Sequence, residues 1–405
     1  MRSGIIEPVA LGIYISVPFC KTKCSYCNFA SDVFSRAVFE RYVHRVCADV
    51  ANAPKIAKEM GGLFEPEVDS IYLGGGTPTV LDAGQLRRIF DAVRSQFQLS
   101  RDAEVTVECA PGTLAPEMLQ GLLHCGVNRV SLGVQSFVDA EAAAVGRLHK
   151  RSTVLDDIAR LRAAGLTNIN IDLIAGLPHQ TAESWQQSLD ETLATGAAHV
   201  SVYMLEVDED SRLGREVMAG GTRYHAHFVP DEEATADFYL AACEHLNAAG
   251  IAQYEISNFA RAGSESRHNL KYWTRQPYLG FGVDAHSMLA STTPEAESIR
   301  FATADVLEKY VADSPVQMTV ISRAAALEEC FFLGLRLNRG VALEDVAAKF
   351  GEQAVDSLSP VIAELVADGL MRRGGAIIRL TPRGRLLSNE VFQRFLAAPA
   401  RSTQV

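Results

Sequence analysis

No apolar run in this sequence of 405 residues is long enough to span a membrane. The first residues, Met1 to Leu11, carry Arg2, Glu7 and Pro8 where a secretory leader needs a long apolar core, so neither a membrane-spanning nor a secreted protein is expected. Basic residues are also in deficit: 38 Lys and Arg stand against 49 Asp and Glu, for a formal net charge of −11. Phosphate backbones call for a basic surface, so nucleic acid is not the expected partner. A disulfide framework is missing too. Of the eight cysteines, Cys47, Cys109, Cys125, Cys243 and Cys330 are scattered without framework spacing, which points to a reducing cytoplasm. There is no second C-x2-C pair, no convincing repeat and no low-complexity tract. What is present is the composition of a globular chain, 48% hydrophobic and 21% charged, long enough for two or three domains.

Short apolar runs rich in β-branched residues recur through the first half: Leu11–Val17, Val68–Leu73, Ala103–Cys109, Asn128–Leu132, Asn168–Ile174 and Ala198–Leu205. Helical periodicity lies between them, over Val38–Val50, Gln85–Val93, Ala115–His124 and Val154–Ala164. Asp82 and Gln85 are spaced as a capping box, and Gly165 ends the last of these helices. Alternating strands and helices predict parallel pairing through right-handed crossovers. Six units fall short of the eight in a closed barrel, so an α/β fold with an open, partial (β/α)6 barrel is expected over roughly residues 8–205. Residues 206–230 read as a polar loop. Asp231–Ala249 reads as a helix ended by Gly250, and 251–290 is rich in Gly, Asn and aromatics. After about residue 320 come an apolar helix through Leu335, helices near 342–350 and 354–368, and a hairpin about Gly374-Gly375. That order predicts a winged-helix-like α+β domain. The expected division is a core over 1–230, a linker region over 231–318 and a C-terminal domain over 319–405.

The chemistry-bearing feature is Cys20-Lys-Thr-Lys-Cys24-Ser-Tyr-Cys27, a C-x3-C-x2-C run just past the first predicted strand. Three thiolates can hold three irons of a 4Fe–4S cluster and leave the fourth with an open position. Tetrahedral structural zinc needs four ligands, and the nearest other cysteine, Cys47, sits in a predicted helix. Three cysteines packed as small apolar residues are the other alternative, against which Lys21, Thr22, Lys23 and Ser25 make the stretch an exposed loop. The spacing and the strand context favour the cluster.

Cys20, Cys24 and Cys27, with Tyr26 before the third cysteine, resemble the signature of radical S-adenosylmethionine (SAM) proteins. The preceding Tyr14-Ile-Ser-Val-Pro18-Phe19 narrows the resemblance to the branch holding coproporphyrinogen dehydrogenases and haem chaperones of the HemW type, over about residues 11–390. The resemblance implies a cluster on the three cysteines and SAM chelated to the open iron, with cleavage to a 5′-deoxyadenosyl radical upon reduction. It also implies SAM contacts from Gly75, Gly76 and Thr77 in Gly74-Gly75-Gly76-Thr77-Pro78, and from Glu108, Gln135, Arg147 and Asp172. Tyr14 and Tyr26 fit a core aromatic as well as a cofactor contact.

Two features separate the branches. The dehydrogenases resembled here carry a further cysteine two places past the third, where this chain has Phe29, and a long N-terminal arm where only nineteen residues precede Cys20. Arg267-His268-Asn269-Leu270-Lys271-Tyr272-Trp273 is similar to the chaperones' H-N-x-x-Y-W motif, which implies His268 as a haem contact. An imidazole is a good axial ligand for haem iron. Lys271 and Arg275 are candidates for the propionates. His225 and His227 form an H-x-H pair with no acidic or cysteine partner in view and read as loop residues. The basic hairpin (Arg372, Arg373, Arg379) and the nearby Arg383 and Arg385 read as a solvated face or a protein or membrane-surface contact. The expected function is therefore haem binding and delivery to haem-requiring respiratory membrane proteins, from the cytoplasm with membrane association during transfer, and with a homodimer as the assembly to look for. The alternative is oxygen-independent coproporphyrinogen III dehydrogenation.

Overall fold

A computed structural model describes residues 9–312 and 316–396. Most of the stretch Met1–Leu11, and the ends of the expected first and last domains, lie outside the described residues. The six predicted runs form β1 (Leu11–Val17), β2 (Glu67–Gly75), β3 (Gln98–Cys109), β4 (Arg129–Gln135), β5 (Asn168–Ala175) and β6 (His199–Met204). They pair in parallel in chain order, the strand half of a partial barrel. Asp82 and Gln85 do form a reciprocal capping box at the start of the Ala83–Gln96 helix.

The two faces of these strands differ in kind. Leu11, Ile13, Ile15 and Val17 of β1 are fully buried and belong to the main apolar core with residues of the surrounding helices. The alternate residues turn inward, because successive strand side chains point to opposite faces. Parallel strands are usually apolar on both sides. Here the inner face carries Ser70, Thr106, Arg129, Ser131, Asn170 and Ser201, all buried. A buried polar face is costly unless its groups find partners, so the lumen is built for something other than packing.

The stretch expected to link two domains is built into the sheet. β7 (Ala252–Gln253) and β8 (Asn258–Ala260) extend it beyond β6. β9 (Tyr278–Gly282) pairs in parallel with β1, and β10 (His286–Ala290), β11 (Ser298–Ala302) and β12 (Gln317–Ile321) follow antiparallel, making twelve strands in one sheet. The motif stretch forms a helix, Arg267–Trp273, across the N-terminal ends of the barrel strands. Its Lys271 Nζ donates to Ala10 O at 2.7 Å, and its first amides donate to the Glu104 carboxylate. Gly12 makes room for it: a Cβ there would lie 2.8 Å from the Lys271 side chain. This helix is the floor of the lumen.

The segment read as a loop, 206–230, contains the helix Arg212–Met218 and a 3-10 turn over Arg223–Phe228. Only Leu213 and Gly214 of that helix are buried, so its amphipathic signal is weak. In the C-terminal part, helices Arg323–Gly334, Leu343–Phe350 and Glu352–Ala367 precede a three-stranded sheet of β13 (Val341–Ala342), β14 (Met371–Gly374) and β15 (Ile377–Leu380). It has its own core, which Ile256 of the barrel side joins. Glu329 fastens it further, paired with Arg275 at 2.7 Å and Arg300 at 2.9 Å.

Candidate functional site

β1 ends at Pro18, and the cysteine loop begins there. The loop is closed on itself: Cys20 N–H donates to Asp32 O at 3.0 Å, and Lys23 Nζ donates to Ser31 O at 2.6 Å and Phe29 O at 3.1 Å. Lys23, read as a mark of exposure, in fact staples the loop. From outside, Ser25 N–H reaches Val145 O at 3.1 Å, and Leu213 N–H of the short helix reaches Ser25 O at 2.8 Å. Phe19 stacks on Phe39 at 4.0 Å and anchors the loop's first turn in the core.

The glycine run after β2 lies directly under this loop. Gly76 N–H donates to Val17 O and Thr77 N–H to Phe19 O, both at 2.7 Å. A Cβ on Gly76 would lie 2.7 Å from Phe19 O and 3.0 Å from Cys20 Sγ, so only glycine permits this approach. Gly75 has φ +99°, which glycine alone adopts readily. Thr77 Oγ1 stands 3.9 Å from Cys20 Sγ.

The next strand ends bring polar groups to the same opening. Glu108 accepts from Tyr72 OH at 2.7 Å, and burial, reinforced by the Asp172 charge, pushes its carboxyl up to about 8. Asp172 accepts from Ser131 Oγ at 2.9 Å and Asn170 Nδ2 at 2.7 Å, and burial raises it as well. Arg147 reaches Cys24 Sγ at 3.7 Å and donates to Gly133 O. Gln135 is held at φ +70°, at an irregularity where β4 leaves β5, and its Oε1 is buried without a partner. An unsatisfied buried amide on a strained residue is a mark of a ligand site.

These groups surround one cavity of about 1190 Å³. All three cysteines line it, with every strand-end residue expected from the sequence. Tyr26 lines it and also packs with Leu213 and Ile174, so it is both core and wall. Tyr14 lies a layer deeper, between the rings of Tyr72 at 6.2 Å and His268 at 6.3 Å. The three thiols do not converge on one point: among the described residues, no group of three or more His, Cys, Asp and Glu side chains is arranged about a single ion. Tyr72, Arg129, Asn170, Ser201 and Tyr203 also line the cavity and were missed in the sequence. Each sits on the inner face of a strand that had been recognised, so strict alternation would have found them.

Residues 14–192 match the Radical SAM superfamily and residues 321–387 the HemN C-terminal domain. A curated relative, heme chaperone HemW of Bacillus subtilis (strain 168), is 36% identical over 387 residues, covering 95% of this chain and 98% of its own. The chain belongs to the HemW family of radical SAM proteins. The heme chaperone HemW of Escherichia coli (strain K12) is 29% identical over 96% of this chain and 98% of its own. A mouse relative, radical S-adenosyl methionine domain-containing protein 1, mitochondrial, is 32% identical over 89% of this chain and 81% of its own. The solved structure of coproporphyrinogen III oxidase (HemN) from Escherichia coli shares the fold, with TM-score 0.80 at 23% identity over 95% of this chain and 90% of that one.

In this member of the HemW family the motif histidine faces the lumen from below. His268 is buried, its Nδ1 lies 3.1 Å from Ser70 Oγ, and its Nε2 lies 2.8 Å from Tyr272 OH. Burial, with Lys271 and Arg129 nearby, pushes its pKa down to about 3, so the ring is neutral. Both nitrogens are engaged, and neither presents a lone pair to solvent. The rest of the motif divides between the cavity and the C-terminal seam. Asn269 lines the cavity, and Trp273 lies under Arg336, whose guanidinium carbon is 4.2 Å from the ring centroid. Lys271 and Arg275, candidates for propionates, are tied to Asp69 at 2.8 Å and Glu329 at 2.7 Å.

Proposed function

We propose that this protein is a haem chaperone whose cavity holds a 4Fe–4S cluster on Cys20, Cys24 and Cys27 with SAM beside it, and that it delivers haem to respiratory membrane enzymes. Support for the two cofactors comes from the wall itself. The glycine cradle at Gly75 and Gly76 admits a close ligand, and Gln135 Oε1, Arg147 Nε and Arg129 Nε are buried donors and acceptors without partners. Carboxylates at Glu108 and Asp172 suit ribose hydroxyls, and Arg147 suits the carboxylate of the methionine moiety. A bound cluster supplies one-electron chemistry at its open iron. The chain's own residues position the ligand and hold charge beside it.

The observation that carries the chaperone reading is Phe29. It stands two residues past Cys27, 63% exposed at the cavity rim, with an apolar ring in place of a thiol. The names of the relatives that span almost the whole chain support the same reading. Work in the cytoplasm, contact with a membrane surface during transfer and a homodimeric state complete it. Haem ligation by His268 would require the floor helix to give up its bonds to Ser70 and Tyr272. The alternative, coproporphyrinogen III dehydrogenation, is favoured by Arg129, Arg147, Arg336 and Arg383, which all line the cavity and suit a substrate with several propionates.

One anaerobic preparation tests both. Reconstituted protein is expected to show a haem Soret band on titration and no conversion of coproporphyrinogen. Absence of haem binding above an albumin-like background refutes the chaperone, and formation of protoporphyrinogen promotes the dehydrogenase.

A further inference from the structure

Three histidines outside the cavity gather beside the cysteine loop. His179 follows β5, and its Nε2 lies 3.0 Å from Nδ1 of His225 in the 3-10 turn. The ring of His179 lies 4.1 Å from that of Phe228, and His227 lies 4.0 Å from the same ring. All four side chains are exposed. The backbone here is strained: of six non-glycine residues with positive φ among the described residues, His179 (69°), Tyr224 (55°) and His225 (60°) are three. Strain of this sort costs about 1–3 kcal/mol per residue and collects where a geometry is needed for function.

Beside them is a cleft of about 590 Å³, the size of a small-molecule site. Ala143, Ala144 and Gly146 line it, with Tyr224, His225 and Phe228 as aromatic walls. It reaches the cysteine loop at Lys23 and Ser25, on either side of Cys24. Arg212 is at its edge, its guanidinium 5.7 Å from the centre of the Tyr224 ring.

Two imidazoles 3.0 Å apart share one proton between the facing nitrogens. When His225 donates its Nδ1–H to His179, its Nε2 keeps a free lone pair. Metal-bound histidines almost always donate their other ring N–H in this way, which fixes the ring and raises its basicity. His179 can take the accepting role because its Nε2 faces His225 Nδ1, and desolvation with the neighbouring His225 and His227 lowers its pKa. A bare metal ion finds too few ligands, because no group of three or more such side chains is arranged about an ion among the described residues. Haem iron brings four nitrogens of its own and needs one more. The contrast with His268 is direct: that ring is buried with both nitrogens engaged.

We propose that this cleft is a haem-docking site, with His225 Nε2 as axial ligand to the iron, His179 as the residue that positions it, and Phe228 and Tyr224 against the porphyrin. Arg212, which also donates to Lys23 O of the cysteine loop, takes a propionate with its remaining N–H groups. The inference rests on the haem-chaperone reading and places the cargo against the outer side of the cysteine loop.

Haemin titration of the full chain after anaerobic reconstitution tests it. His225→Ala is expected to weaken haem binding at least tenfold and shift the Soret band, with added imidazole restoring the band position. His179→Gln is expected to keep binding within a few-fold but to shift the iron–histidine stretch in resonance Raman spectra, which a merely structural role would leave alone. His268→Ala, if folded by circular dichroism, is expected to keep the wild-type Soret band. Wild-type affinity and spectrum in His225→Ala overturn this site while leaving the chaperone reading standing. Wild-type protein that binds no haem overturns both.

Discussion

Replacing Glu108 with glutamine isolates the cost of holding a carboxyl in the cavity wall. Burial raises the folded-state pKa of Glu108 from 4.5 to about 8. Between those values the folded chain keeps a proton that the unfolded chain has lost, so this group lowers stability as pH rises. Below about pH 4.5 both states are protonated and the effect vanishes. From pH 5.5 to pH 8, linkage at about 1.4 kcal/mol per unit gives a loss of about 3 kcal/mol. Glu108 is part-exposed to the cavity, so water there reduces this to about 1–3 kcal/mol. Glutamine resembles the protonated acid in shape and does not titrate. Urea unfolding of the cofactor-free protein, followed by fluorescence of buried Trp185, can be run at both pH values for wild type and Glu108→Gln. The wild type is expected to lose more stability between the two, by that margin, with other titrations cancelling in the difference. Equal pH dependence within about 0.5 kcal/mol would refute the assignment of a raised pKa to Glu108.

Gly76→Ala is expected to lose most of its iron on reconstitution and to be destabilised by about 1–3 kcal/mol, since its methyl meets two backbone oxygens and Cys20 Sγ; iron and sulfide analysis with thermal melts measures both. Arg147→Lys keeps a charge but loses the fork that reaches Cys24 Sγ and Gly133 O together, so SAM affinity by equilibrium dialysis should fall about tenfold. Unchanged affinity would remove Arg147 from the site. Glu329→Ala leaves Arg275 and Arg300 facing each other at the seam of the C-terminal domain and should cost about 3–5 kcal/mol in urea unfolding. Glu329→Gln, which keeps an acceptor there, should cost less.

The six barrel strands were legible because their outer faces are unbroken β-branched and aliphatic residues, as in Leu11, Ile13, Ile15 and Val17. The cavity residues at strand ends followed from that placement and the family resemblance. The strands from β7 to β11 were not legible. They are two to five residues long, and those that join the barrel do so through distant partners, as Asn258 does with Ser201. The Arg212–Met218 helix was hidden for a related reason: its apolar side is small, and Leu213 packs with Val145, Ile174, Leu177 and Ala226 from distant parts of the chain. His268 shows a different limit. A motif spacing does not say whether an imidazole is free, and its partner Ser70 lies 198 residues away. The pairing of His179 with His225 was equally invisible, across 46 residues.

The floor helix makes the lumen a blind well. Lys271 and His268 close it below, where Gly12 leaves no space between strand and helix. Asn269 of the same helix reaches the cavity wall, while the cysteines stand at its mouth. With the floor closed, a ligand of the well enters from the side of the strands' C-terminal ends, where the cysteine loop stands. On the proposed reading, a cofactor in the well and a cargo on the outer side of the loop would share one wall without sharing one entrance.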